Sequence, residues 1–139
     1  LNIFRFNSNN ILFEQARQVR KEVFIEEQQV DPGLEYEHEE GSVHYIAFLD
    51  DEPIATGRYR KTEEGIKLER FATLKDYRGN GIASLILERM LEEIKGMGGT
   101  IYLNSQLGAK NFYEKHGFKT VGENFWEAGI EHVKMTYEG

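Results

Sequence analysis

The stretch EGIKLERFATLKDYRGNGIASLILERMLEEI, residues 64–94, limits the folds open to this chain more than any other. Its first part, GIKLERFATL, reads as a strand opened by Glu64-Gly65. Its last part places Ile82, Leu85, Ile86, Leu87, Met90, Leu91 and Ile94 on one broad apolar face at helical spacing. Only a short turn containing Gly79 and Gly81 separates the two periods, so a strand runs almost directly into a helix. That helix stops at Gly96 or Gly98-Gly99, and TIYLNS then reads as another strand. The unit is a central βαβ.

The flanks fill in the rest. IFRFN near the start alternates Ile3, Arg5 and Asn7 against Phe4 and Phe6, as a strand does. Leu12, Phe13, Ala16, Val19, Val23 and Phe24 predict a helix from about Asn10 to Phe24, with Ser8, Asn9 or Asn10 as its cap. EEQQVDPGLEYEHEEGS predicts a short helical turn running into a loop, with Asp31-Pro32-Gly33 as a turn. HYIAFLDDEPIATGRYR predicts two strands around Asp50-Asp51-Glu52-Pro53, antiparallel to each other and to the strand that follows. GAKNFYEKHGF predicts a short helix stopped by Gly117, and FKTVGENFWEAGIEHVKMTYE predicts two final strands. The order β-α-β-β-β-α-β-α-β-β gives an α+β fold, a single domain over residues 1–139 built around one mixed sheet.

The glycine turn reads as an anion seat. The first turn of a helix leaves N–H groups unpaired and carries the positive end of the macrodipole. Glycine lets a bulky anion reach that backbone, and Arg78 adds charge from the side. A P-loop is excluded because Gly81 is followed by Ile82-Ala83 rather than Lys-Ser/Thr. A dinucleotide fingerprint is weak, since Ser84 occupies the third glycine position and the next strand ends in Asn104-Ser105 rather than an acid. What remains is Arg78-x-x-Gly81-x-Ala83, a seat that suits a pyrophosphate.

ERFATLKDYRGNGIASLILERMLEEI resembles the acetyl-CoA-binding motif of the GNAT superfamily, the Gcn5-related N-acetyltransferases, with Ala83 in its last Gly-or-Ala position. NFYEKHGF resembles the family's helix with a Tyr four residues before Gly-Phe, here Tyr113, Gly117 and Phe118. The order of elements matches the GNAT fold along nearly the whole chain. VRKEVFIEEQQV and GIEHVKM resemble the small bacterial ElaA/YjcF-like branch.

The resemblance implies a mostly antiparallel sheet flanked by helices and direct acyl transfer from acetyl-CoA as cosubstrate, with no metal. It implies that loop amides of Arg78, Gly79, Asn80, Gly81, Ile82, Ala83 and Ser84 hold the pyrophosphate. It implies that the strand of Phe71, Ala72 and Thr73 splays from the strand of Tyr102 to Asn104. The pantetheine arm would pair along the exposed edge, with an N–H near Ala72 polarising the thioester carbonyl. Tyr113 would protonate the departing thiolate, although a core-packing role fits the same aromatic neighbours. Glu69 is the candidate base. Alternation puts it on one face with Lys67, Phe71 and Thr73, and an ion pair with Arg58 or Arg60 is the equal alternative. Glu26 and Glu27 map to the segment that often covers the acceptor site, and at least one of them reads as a solvated helix end. His132 either lines the acceptor cleft or packs structurally.

Composition removes other classes. The chain has no cysteine, so thiol catalysis, Cys-based zinc sites and disulfides are absent. This is compatible with a reducing cytoplasm, the expected location. His38 and His44 do not form a metal spacing, and Glu35, Glu37, Glu39 and Glu40 read as a solvated loop. There is no run of 18 apolar residues and no secretory h-region, so neither a membrane partner nor a signal peptide is expected. A net charge of −7 argues against nucleic acid. That charge, with Glu26, Glu27 and Glu69, leads to the expectation of a small primary amine acceptor drawn in as a cation. Homodimers are common in the family and are an expectation here. A different acyl group, an alcohol acceptor, a non-enzymatic acetyl-CoA sensor and a plain interaction domain remain as alternatives.

Overall fold

The computed structural model describes residues 1–7, 12–30 and 41–139. The expected caps Ser8, Asn9 and Asn10, the turn Asp31-Pro32-Gly33, His38 and the acidic run Glu35–Glu40 lie outside the described residues.

Seven strands form one sheet in the order β1-β2-β3-β4-β5-β7-β6. They are β1 (Asn2–Asn7), β2 (Ser42–Leu49), β3 (Glu52–Thr62), β4 (Gly65–Thr73), β5 (Ile101–Gln106), β6 (Phe118–Glu127) and β7 (Ile130–Tyr137). All neighbours are antiparallel except β4 and β5, which run parallel because a helix returns the chain between them. That helix is α2 (Ile82–Ile94), and β4-α2-β5 is the expected βαβ unit. The β2–β3 turn is Asp50-Asp51, both with positive φ as a two-residue hairpin needs. Glu52 and Pro53, expected in the turn, instead open β3. Pro53 pairs with Phe48 at a bulge, where its missing N–H is tolerated.

The two faces of the sheet are covered differently. α2 and α3 (Lys110–Lys115) pack on one face, where Ile54, Leu68, Ile86, Leu87, Met90, Leu103 and Met135 are buried. Near the far end of α2, the Glu93 carboxylate accepts hydrogen bonds from Arg5 and from the hydroxyls of Tyr45 and Tyr59, tying the helix to the first three strands. On the opposite face lies α1 (Leu12–Arg20), with Phe6, Ala16 and Ile46 in one cluster and Val19, Val23 and Ala72 in another. The helix continues beyond Phe24 as a π-helical turn, Lys21–Glu27. Wider turns of this kind redirect side chains and are frequent at functional sites. None of the described helices is long and apolar enough to cross a membrane.

Candidate active site

The site begins with a fault in β4. On its β3 side, β4 is paired from Gly65 to Thr73. On its β5 side, pairing stops after Ile66↔Ile101, Lys67↔Tyr102 and Leu68↔Leu103. From Glu69 onward the two parallel strands diverge, and the β5-facing backbone of β4 has no strand partner. The expected splay is present at residues 71–73, but on β5 it starts only at Asn104, because Tyr102 and Leu103 are still paired with Lys67 and Leu68. A cleft of about 290 Å³ fills the gap.

A bulge accompanies the divergence. Arg58 pairs with Glu69 and Thr56 with Ala72, so three steps along β4 match two along β3. Arg70 absorbs the extra residue at φ 59°, a conformation rarely adopted by a side chain of this kind. The consequence overturns the expected alternation. Lys67 and Glu69 share one face, but Phe71 turns to the other. There it packs with the α2-side core and meets the Tyr113 ring edge-on at 6.1 Å. Ala72 falls back on the α1 side, beside Val19 and Val23. Gly57 makes room for this arrangement: a Cβ there would lie 2.9 Å from the Phe71 ring. A glycine inside ATGRYR was the available signal, since an isolated glycine in a strand marks close approach.

The cleft thus has two chemically distinct walls. On the α2–α3 side are Phe71, Leu103, Ala109 and Tyr113. Tyr113 is buried among Phe71, Phe112 and Phe118, and burial pushes its phenol above its ordinary value of 10.0. It therefore keeps its proton at any working pH. Tyr113 both packs in the core and lines the cleft.

On the α1 side are Lys67, Glu69, Asn104, Gln106 and His132. Glu69 is 9 % exposed and accepts from Arg58 at 2.9 Å and Arg60 at 2.5 Å, with Arg70 at 3.7 Å. Burial alone would raise its pKa. The charges of Arg58, Arg70 and Lys67, with the Arg58 hydrogen bond, outweigh burial and hold it at about 2. Of the two readings of Glu69, the ion pair is the one observed. A carboxylate held at about 2 accepts a proton poorly at neutral pH.

His132 lines the cleft and also packs. Its ring stacks on Phe125 at 5.9 Å, Nδ1 lies 2.7 Å from the Ile130 carbonyl, and Nε2 is 3.7 Å from Glu127. The side-chain amides of Gln28 and Gln106 bond to each other at 3.0 Å, linking the end of the π-helical turn to the end of β5. Gln28, Gln106 and Lys67 were missed from the sequence as site residues. Gln106 was within reach, since alternation from Asn104 puts it on the same face.

At the open end stands the loop before α2. Gly79 and Gly81 have φ of 83° and 77°, where other residues are strained, and a Cβ on either would meet nothing within 4 Å. Gly81 is the N-cap and offers no side chain to the helix, so the first-turn amides of Ile82, Ala83 and Ser84 have no cap from it. The Ser84 hydroxyl is instead 3.0 Å from His116 Nε2, joining the first turn of α2 to the end of α3.

Arg78 is exposed, but it is not a free anion clamp. Its guanidinium donates to both Glu27 carboxylate oxygens, at 2.8 and 2.6 Å, and to the Thr73 carbonyl at 2.9 Å. The Arg78 hydrogen bond holds Glu27 below the usual carboxylate range. Glu26 sits 3.9 Å from Lys21 and is half exposed. All three carboxylates expected to attract a cation are thus matched by basic groups, and that electrostatic motive does not carry over. Among the described residues no group of three or more His, Asp or Glu converges on a metal position.

A family model described as acetyltransferase (GNAT) domain matches residues 12–139. The uncharacterised N-acetyltransferase YjcF of Bacillus subtilis is 36% identical, over 91% of this chain and 93% of its own. The crystal structure of Escherichia coli ElaA superposes with a TM-score of 0.84 at 23% identity, covering 99% of this chain and 100% of its own. An aminoglycoside 6′-N-acetyltransferase complexed with coenzyme A superposes with a TM-score of 0.71 at 18% identity, covering 98% and 96%. The two structural likenesses establish the fold alone.

Proposed function

Because this chain belongs to the GNAT acetyltransferase family, we propose that it transfers an acetyl group from acetyl-CoA directly to a small primary amine. The observation that carries the reading is the parting of β4 from β5 after Leu68 and Leu103. It opens a backbone edge between a glycine-capped helix start and a buried tyrosine. A donor with phosphates at one end and amides along its arm needs these features in this order.

The fit to the donor rests on two features. Space beside Gly79 and Gly81 and the uncapped amides of Ile82, Ala83 and Ser84 suit a pyrophosphate. In this reading Arg78 braces the loop through Glu27 and Thr73, while backbone amides from Arg78 to Ser84, with Asn80 between the glycines, carry the anion. The unpaired edge at Phe71, Ala72 and Thr73, facing Asn104 across the gap, receives the arm. Acetyl-CoA, when bound, supplies the activated acyl group.

The amine nitrogen attacks the thioester carbonyl carbon. A C–N bond forms, the C–S bond breaks, and the thiolate takes the Tyr113 proton. The N–H of Ala72 stabilises the charge that develops on oxygen. The attacking nitrogen becomes positive in this step. Its surplus proton leaves to cleft water. The cysteine-free sequence offers no thiol for an acyl-enzyme. We place this chemistry in the cytoplasm.

Replacing Gly81 with Val tests the phosphate seat. Valine at φ 77° is strained, and its branches would occupy the space left for the anion. Calorimetry with acetyl-CoA is expected to show at least tenfold weaker binding by a folded Gly81→Val variant. Unchanged affinity would remove the loop from the donor site.

A further inference from the structure

We propose that the acceptor carries an anionic group, a carboxylate or a phosphate, a few bonds from its reacting amine, and that Lys67 binds it. The inference rests on the acetyl-transfer reading above and names the substrate class of that site.

One positive charge on the α1-side wall is left over. Glu69 is matched by Arg58 and Arg60, Glu27 by Arg78, and Glu26 lies near Lys21. On the α1-side wall the Lys67 ammonium differs from all of these. Among the described residues it has no hydrogen bond and no ion pair. It acts on Glu69 only through space. It lines the cleft, and it also lines the adjoining groove with Arg60, Glu63, Glu64, Tyr102 and Lys134, where Glu64 is taken up by Lys134. A half-buried ammonium facing a cleft is well placed to meet an anion.

Geometry then sets the class. Lys67 precedes the bulge, so it stands on the same face as Glu69, two residues away. Such neighbours on a strand lie roughly 6.5–7 Å apart along the chain. Glu69 is already matched by guanidinium groups, so the charge left to be complemented on this wall is the Lys67 ammonium, which suits an anionic group a few bonds from the reacting amine. The amine lies toward Glu69, where β4 and β5 part and the thioester is to be attacked. The anion lies toward Lys67, where the strands are still paired and the cleft has its floor. A dication would put its second charge against Lys67.

The test measures thiol release from acetyl-CoA for a panel of α- and ω-amino acids and aminoalkyl phosphates. Each is run beside the same amine lacking its anionic group and beside the diamine of equal length. Wild type is expected to favour anionic amines by tenfold or more in kcat/KM. Lys67→Gln should erase that preference, chiefly through KM, and Lys67→Arg should restore most of it. The preferred anion separates a carboxylate source from a phosphate source. Preference for neutral or dicationic amines, an unchanged preference in Lys67→Gln, or turnover of no anionic amine by a protein that binds acetyl-CoA overturns the proposal. Failure of wild type to bind acetyl-CoA in calorimetry overturns the acetyl-transfer reading instead.

Discussion

Replacing Tyr113 with Phe is expected to lower turnover by ~10²–10⁴-fold, the usual contribution of a positioned general acid. The phenol is buried, and burial alone pushes its pKa upward. It therefore enters the reaction protonated, as a proton donor to a leaving thiolate must. The site is apolar on this side, with Phe71 and Phe112 against the ring. A thiolate left unprotonated there would be costly. Phenylalanine keeps the ring and its three edge-on aromatic contacts, so the fold and acetyl-CoA affinity should change little. Steady-state thiol release beside a binding titration, at several pH values, separates the outcomes. Lost turnover with retained binding assigns the hydroxyl to chemistry. Loss of both assigns the residue to packing, and unchanged turnover means the proton comes from elsewhere.

The second large effect is on stability. Glu69→Gln is expected to cost about 3 kcal/mol or more, because the fully buried Arg58 loses the charge that compensates it. Burial draws the Arg58 guanidinium down to about 10 even with Glu69 raising it, so losing the carboxylate disfavours its charged form further. For a domain of this size the loss corresponds to roughly 10 °C in melting temperature. The same pair gives a pH signature. The folded-state pKa of Glu69 lies below its ordinary 4.5, at about 2. Its contribution is therefore fully present above pH 4.5 and is lost as pH falls from 4.5 toward 2. A carboxyl moved that far carries roughly 3 kcal/mol. Urea unfolding from pH 7 to pH 3 should show wild type losing part of its advantage over Glu69→Gln once pH falls below 4.5. Replacing Arg58 with Met and Glu69 with Leu together should recover part of the loss, since the buried Arg58 charge goes with its carboxylate while Arg60 still loses its partner. Equal stability of wild type and Glu69→Gln at pH 7 would refute the ion-pair account.

Much of the site was legible before the structure because it is local. The glycine entry to α2 follows from φ values that only glycine adopts cheaply, and Gly79 and Gly81 have them. The short helix bearing Tyr113 ends at Gly117, also at positive φ. The parting of β4 from β5 followed from the family resemblance, and neither strand announces it by composition. The partners of the charges were less legible. Glu27 and Arg78 are 51 residues apart, and nothing in either neighbourhood names the other. Arg60 and Glu69 are nearer, across one hairpin, and that pairing was foreseen as an alternative.

By itself, then, the sequence determined the order of elements, the βαβ centre and the glycine entry to α2. Periodicity, turn residues and helix ends are properties of a few consecutive residues. Only the tertiary structure decided which wall of the cleft each side chain joins. One extra residue at Arg70 reverses the alternation, sending Phe71 to Tyr113 and leaving Lys67 and Glu69 opposite. A bulge is a choice of register between two strands, set by Gly57 accepting the Phe71 ring across from it. Register depends on both strands at once, so the glycine in ATGRYR signals a close approach without naming the residue on β4 that makes it.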